Sequence, residues 1–489
     1  MIKPWPVSPL RLAAPAALIL FAAKDALMAR IALPLPFWDE WDGAYVVLKP
    51  LLTHGQWLQS LFTAHNEHHI ALTRLLIVGL YEISGYYDVI LQMIVNAAIH
   101  AATVAWVAVT LSKRLSILQS AAVLALVTFL NSIPFSWENT LLGFNTHFYL
   151  LLTLSFGSLI CLSGAAAFTG RWFAGMGLGF VSFLTMSSSA LTFGAAATLA
   201  TIQLIVRRRQ GVREWIGVGL QLTAMGLLIL AVPRIAEHES LRAHGIWDFL
   251  SALAKAMSWP AQSPIGLLLC APALIFCVGV IARRPRLDDS DWLIVATYGW
   301  VILQFVALAI GRNQGPTDSR YLDTYLIGLC VSIVSAFRLY NAFSHGTAIA
   351  RTIPIMVWIC SLGIAAIHAR PSIHAITSAR HDSVKVQTAN VAGYLNTGDV
   401  AYLNNKPSSE LPYPSAQRLQ QLLDDPEMRA ALPPVVNPGL QPKAWLEAFK
   451  TEVLQKWWAF AAAGLLLAAL NLTRIYRDRR WKQTQNDVR

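Results

Sequence analysis

Charge is scarce in this chain: only 13% of its 489 residues are Asp, Glu, Lys or Arg, against 55% hydrophobic residues. A mean hydropathy of +0.49 excludes a free-standing water-soluble domain, whose surface would aggregate, so lipid must solvate the chain. Cysteine is equally thin. Cys161, Cys270, Cys277, Cys330 and Cys360 all fall inside apolar stretches, with no CxxC and no loop pair, which leaves neither a disulfide frame nor a zinc pattern. Ser187, Ser188 and Ser189 lack a GxSxG elbow and read as a turn between helices. No short-period repeat is visible. The first apolar run, behind Lys3 and Arg11, ends at Ala29 and Arg30 without a small-x-small cleavage site and reads as a retained helix.

What is present is apolar sequence in membrane-crossing lengths. A bilayer core takes about twenty residues of helix, and runs near that length fall at 11–29, 88–111, 117–134, 146–166, 172–187, 190–206, 215–233, 264–282, 292–311, 322–340, 352–369 and 457–473. They predict an all-α polytopic membrane protein with about twelve transmembrane helices. The net charge of +11 sits in short clusters between these runs, which makes it a topology signal and not a nucleic-acid surface. With the N-terminus in the cytoplasm, Lys113 and Arg114, Arg171, Arg207 to Arg209 with Arg213, Arg283, Arg284 and Arg286, and the terminal Arg474, Arg477, Arg479, Arg480 and Lys482 all become cytoplasmic, as does the C-terminus.

That orientation sends 30–87, 135–145, 234–263, 312–321 and 370–456 to the outer face. The chain therefore divides into a membrane domain at 1–369, a small exoplasmic lobe at 370–456 and a last helix with a basic tail at 457–489. The first outer segment, 30–87, alternates Val46, Val47, Leu48, Leu51, Trp57, Leu58 and Phe62 with Lys49, His54 and Gln56, a pattern of helices lying in the membrane interface. The lobe has too few large apolar residues for a deep core and is expected to pack on the membrane domain.

Four polar constellations share the outer face. Trp38-Asp39-Glu40-Trp41-Asp42 sets three carboxylates between and beside two tryptophans directly after the first helix; carboxylates at the hydrocarbon edge are costly unless they bind something or face water. The plain alternative is solvated loop acids balancing Lys49, with tryptophans as interfacial anchors. His65-Asn66-Glu67-His68-His69 precedes Arg74, and a helix over 66–80 would put Glu67 and Arg74 on one face. This is not HExxH and no further ligand completes a set, so no metal is assigned, although a divalent ion is compatible with it; headgroup hydrogen bonding is the bland reading. Arg312 to Tyr321 carries Arg312 and Arg320, outer-face arginines that match phosphate oxygens or pair with Asp318 and Asp323. Ser136-Trp137-Glu138-Asn139, with Asn145 and His147, adds a carboxylate, an amide and an imidazole. Lys24, Asp25 and His100 are the main titratable groups inside the runs, and His381-Asp382 reads as loop.

An acidic pair opening the first outer loop, interfacial helices, many further spans and an exoplasmic lobe together resemble membrane glycosyltransferases of the GT-C class, such as protein mannosyltransferases and aminoarabinose transferases. His65-Asn66-Glu67-His68, Trp137-Glu138-Asn139, Ser319-Arg320-Tyr321 and the stretch from Tyr413-Pro414-Ser415 to Leu432-Pro433-Pro434 also look like a bacterial subgroup of this type. The resemblance implies sugar transfer from a polyprenyl-phosphate donor to a lipid, glycan or protein acceptor on the periplasmic face of the inner membrane, with no cofactor required. It implies Asp39 as general base, Glu40 as support or alternate and Glu67 orienting the acceptor. Arg320, Arg312 and Arg74 would clamp phosphate, and Trp38, Trp41, His68, Glu138 and Tyr321 would line the substrate site. The chain lacks the sequon-recognition motif of oligosaccharyltransferases and any MIR-like module, which leaves the acceptor open. A flippase or transporter of lipid-linked sugars and a surface-polysaccharide polymerase or ligase are the alternatives.

Overall fold

The computed structural model describes residues 9–261, 263–342 and 347–487, and among them regular structure is helical. The N-terminal third supplies α1 (Pro9–Ile31), α2 (Asp39–Leu52), α3 (Trp57–Ser60), α4 (Ala71–Ser84), α5 (Val89–Leu111), α6 (Ile117–Ser132) and α7 (Trp137–Leu141). The middle supplies α8 (Thr146–Leu162), α9 (Gly170–Phe183), α10 (Leu191–Ile205), α11 (Val212–Leu230), α12 (Ile246–Ser258), α13 (Ala271–Arg283), α14 (Asp291–Gly311) and α15 (Leu322–Ala342). There follow α16 (Ala348–Thr397), α17 (Ala416–Asp424), α18 (Pro426–Ala431), α19 (Ala444–Gln455) and α20 (Trp457–Asp487).

Among the described residues ten helices are long and apolar enough to cross a membrane. The runs at 117–134 and 172–187 form helices too, but shorter ones, α6 with 16 residues and α9 with 14. Local chemistry sets several boundaries. Asp88 caps α5 by accepting from Leu91 N at 3.0 Å, Ser116 and Gln119 form a reciprocal capping box on α6, and Gly85 ends α4 at φ 81, a left-handed turn that costs a glycine nothing.

α15 is the most enclosed of these spans and packs on α5, α6, α13 and α14, while α1 lies along α5 and α20. The main core lies there, around Trp292, Val301, Tyr325 and Val331. A second core sits at one end of the bundle, where Trp41, Val47 and Leu48 of α2 pack with Leu419, Leu422, Leu423 and Met428 of α17 and α18. The C-terminal segment thus completes its core with α2, is fastened to it by Arg418 to Asp42 at 2.6 Å and Lys49 to Asp425 at 2.6 Å, and is tied to the start of α5 by Lys450 to Asp88 at 2.7 Å.

Two sequence expectations change. The boundary at 369/370 falls inside α16, which continues without a break to Thr397: hydropathy marks where a helix leaves lipid, not where it ends. A helix over 66–80 does not form either. Asn66 takes φ 50, and His65 and His68 exchange backbone hydrogen bonds at 2.8 and 2.9 Å, so Glu67 tips a tight turn and α4 starts only at Ala71.

Candidate functional site

Five polar segments meet at the end of the bundle that holds α2. The Asp39–Leu52 helix opens with three carboxylates in its first turn, where the N-terminal N–H groups favour negative charge. Successive residues of a helix project about 100° apart, and the three acids accordingly part company. Asp39 points to the open side, its carboxylate 4.0 Å from His65 Nε2 and half exposed. Glu40 turns inward and is wholly buried, accepting from Phe37 N at 2.7 Å and Phe144 N at 2.9 Å. Asp42 reaches the C-terminal segment, where Arg418 and the Tyr413 hydroxyl donate to it. Gly43 lets α2 settle on the 143–145 turn, since a Cβ there would lie 2.2 Å from the Phe144 ring.

The neighbours tune these acids differently. His65, with Arg320 and His147 further out, holds Asp39 below the ordinary carboxylate range against the opposing effect of burial. Burial pushes Glu40 up to about 7 despite its two backbone donors. Asp39 is the ionised acid of the pair.

Arg320 sits across from Asp39 on the turn before α15. Its Nε lies 3.6 Å from Glu138 Oε2, its backbone N–H donates to the same oxygen at 3.2 Å, and its carbonyl accepts from Asn139 at 2.8 Å. Asn139 and Ser136 also donate to Asp323, which His100 meets at 3.1 Å, so the loop rests on a buried ionic anchor. Lys24 extends the anchor by donating to Thr140 at 3.0 Å.

A second group adjoins the first. Glu67 Oε1 lies 2.6 Å from His238 Nδ1, Arg312 donates to Glu67 Oε2 at 3.1 Å, and Arg312 Nε reaches the Tyr321 hydroxyl at 3.3 Å. Burial would raise Glu67, yet His238 and Arg312 hold it below its ordinary value. Tyr321 follows Arg320 in the chain, so Asp39, Arg320 and Glu67 belong to one connected polar array.

Beside Arg320 opens a cleft of about 520 Å³ walled by Trp38, Trp137, Trp259 and Glu138, with Ile373 and Ile376 of α16 on its apolar side. Of the expected site residues, Trp38, Glu138 and Arg320 line it, Asp39, Glu40, Glu67, Arg312 and Tyr321 lie outside its wall, and the other three are tied up elsewhere. Arg74 is fully buried and donates from Nη1 to the carbonyls of Ser60, Leu61 and Thr63. Trp41 is fully buried in the second core, with no face for a ligand. His68 is tied into its turn, and burial drives its imidazole down to about 4.

The chain matches no family model, no curated protein and no solved structure.

Two members of the array escape motif reasoning. His238 stands alone among exposed residues of the 234–263 segment, and only the fold brings it to Glu67. Arg380 lies in a stretch that reads as loop, but in α16 it falls one turn past Ile376, on the face that lines the cleft. The spacing of residues 373, 376 and 380 carries that signal once the helix is extended. Among the described residues no group of three His, Cys, Asp or Glu side chains is placed to hold a metal ion.

Proposed function

We propose that this protein is a membrane glycosyltransferase of the GT-C kind, moving a sugar from a polyprenyl-phosphate donor to an acceptor hydroxyl or amine at the exoplasmic face. The observation that carries the reading is the cleft with its rim: tryptophan faces, Glu138 and the Arg320 guanidinium line it beside α16, whose span faces largely out of the bundle, and the ionised Asp39, next in the chain to Trp38, lies within electrostatic reach of Arg320. A sugar needs aromatic faces, a departing phosphate needs cations, and a prenyl chain needs a lateral opening to lipid.

In this scheme the acceptor oxygen or nitrogen attacks the anomeric carbon, the bond from that carbon to the phosphate oxygen breaks with its electron pair, and Asp39 takes the acceptor proton. Arg320 stabilises the phosphate as it leaves. Glu138 positions Arg320, and Trp38 and Trp137 hold the sugar. Topology supports the placing of this face outside: the basic residues Arg114, Arg171, Arg209, Arg283 and Arg338 gather at the opposite end, which the positive-inside bias assigns to the cytoplasm of a bacterial inner membrane.

A transporter of lipid-linked sugars is the second reading, favoured by the ionisable Lys24, His100 and Asp323 buried within spans. Their hydrogen bonds to Ser136, Asn139 and Thr140 also give them a supporting task under the Arg320 loop.

Native mass spectrometry of gently purified protein tests the donor. A polyprenyl-phosphate species retained by wild type and by Arg208→Ala, but lost from Arg320→Ala, is the expected result; equal loss from both arginine variants points to a folding defect instead. Asp39→Asn is expected to keep the lipid and lower transfer about a thousandfold, and retained transfer would remove Asp39 as base.

A further inference from the structure

Arg380 shares with Arg74 a buried guanidinium whose Nε and Nη2 lack partners among the described residues, but Arg74 spends its Nη1 on three carbonyls away from the cleft, whereas Arg380 lies against a cleft wall. It is 7% exposed. Its guanidinium lies over the Phe37 ring at 4.1 Å and beside Trp137 at 5.8 Å, and Trp137 is a wall of the cleft. A charge left this far from water with open donors is costly unless a ligand fills them.

Its surroundings do not neutralise it. Glu138 is within electrostatic reach of Arg380 but is already shared with Arg320. Glu40 is also near, yet its two oxygens are taken by Phe37 N and Phe144 N. Arg320 Nε, 3.6 Å from Glu138, likewise has no hydrogen bond among the described residues. Two guanidiniums with open N–H groups thus flank one carboxylate at the cleft wall.

We infer that the cleft is built for a diphosphate, one phosphate held by Arg320 and the other by Arg380, so that the carrier is a prenyl diphosphate and not a prenyl monophosphate. The inference rests on the lipid-linked reading above and narrows it, making the phosphate that leaves with the prenyl chain a diphosphate. A phosphodiester joining sugar to prenyl chain carries one negative charge; the corresponding diphosphate diester carries two, and each guanidinium offers paired donors to one phosphate. The aromatic rings under Arg380 hold its plane and exclude water from the donors that face the ligand.

The test uses the full-length protein in lipid nanodiscs with geranyl diphosphate and geranyl monophosphate as probes. Wild type is expected to bind the diphosphate at least about tenfold more tightly. Arg380→Ala should weaken the diphosphate by about tenfold to a hundredfold and the monophosphate far less, whereas Arg320→Ala weakens both. Arg380→Lys keeps the charge but loses the fork, and carries the test through an intermediate fall in diphosphate affinity if the alanine variant does not fold. An unchanged preference in a folded Arg380→Ala overturns the inference. Equal binding of both probes by wild type overturns it too and leaves the glycosyltransferase reading standing; binding of neither overturns both.

Discussion

Asp291, at the end of the bundle away from α2, is wholly buried and meets the guanidiniums of Arg338 and Arg283, the latter at 3.3 Å, with Arg114 at 3.8 Å. Nearby, Arg209 spends its donors on Gln203, Glu214 and the carbonyls of Ala165 and Leu162, all at 2.6 to 3.1 Å. At the α2 end, by contrast, Arg380 and Arg320 keep N–H groups without a hydrogen bond among the described residues, and the ring nitrogens His65 Nε2 and His68 Nδ1 likewise have no partner among them. Both ends place charge where water is scarce. Saturated charge at the first end is what a joint between helices requires, since a buried ion must be paired to be tolerated. Open donors at the second are what a binding site requires, since a saturated arginine has nothing left to offer a ligand.

The largest expected effect follows from breaking the saturated end. Asp291→Ala leaves Arg338, 11% exposed, without its counter-charge, and should cost about 3 kcal/mol of stability. The thermal midpoint should fall well below that of wild type while the folded fraction still binds geranyl diphosphate. Arg380→Ala should do the opposite, with a midpoint near that of wild type and weakened binding. If Arg380→Ala destabilises as much as Asp291→Ala, the two ends do not differ in kind.

A second test separates the acids of α2. Glu40 has an ordinary value of 4.5 and is raised to about 7 in the fold by burial, against its backbone donors and Arg380. A raised folded value means stability that is present below pH 4.5 and lost as pH climbs through 7, amounting to about 3 kcal/mol at most. Wild type should therefore lose stability between pH 5 and 8, and Glu40→Gln, whose amide oxygen can accept from the same N–H groups, should flatten that slope. An unchanged slope in thermal unfolding monitored by tryptophan fluorescence would show Glu40 ionised and paired with Arg380.

The helices were legible because a membrane-crossing length of apolar residues is a local property. So was the collection of Asp39, Glu138, Arg320 and the first-loop histidines at one end, because charge bias between spans sorts loops by side. Partnership was not legible. Adjacent Asp39 and Glu40 look equivalent in a string, and only the 100° step of the helix sends one toward His65 and the other under Phe144. Arg74 reads as a cation near a carboxylate, but the turn at Asn66 carries Glu67 away to His238 and leaves Arg74 to the carbonyls of α3 and its following loop. Arg380 was hidden because α16 continues beyond its apolar stretch, where hydropathy has no signal to give.

The smallest expected effect on stability, and the sharpest on the contrast, is at Trp38. Its backbone stands at φ 50 and ψ −120, a conformation that glycine takes readily and residues with a Cβ avoid, and its N–H is held by Pro412 O at 2.8 Å. Such a backbone costs about 1 kcal/mol or more and sits directly before Asp39, with the indole on the cleft wall and 38% exposed. Trp38→Gly relieves the strain, which offsets part of the loss of packed indole surface and of the gain in unfolded-chain entropy, so the glycine and alanine variants should differ in stability by only about 1 kcal/mol. Trp38→Ala keeps the strain and should be less stable than Trp38→Gly, while both lose the ring and bind a sugar-linked donor about tenfold more weakly. A glycine variant less stable than the alanine variant would mean that the loop before α2 is unstrained, and that the indole is held there by packing and not by the backbone hydrogen bond to Pro412.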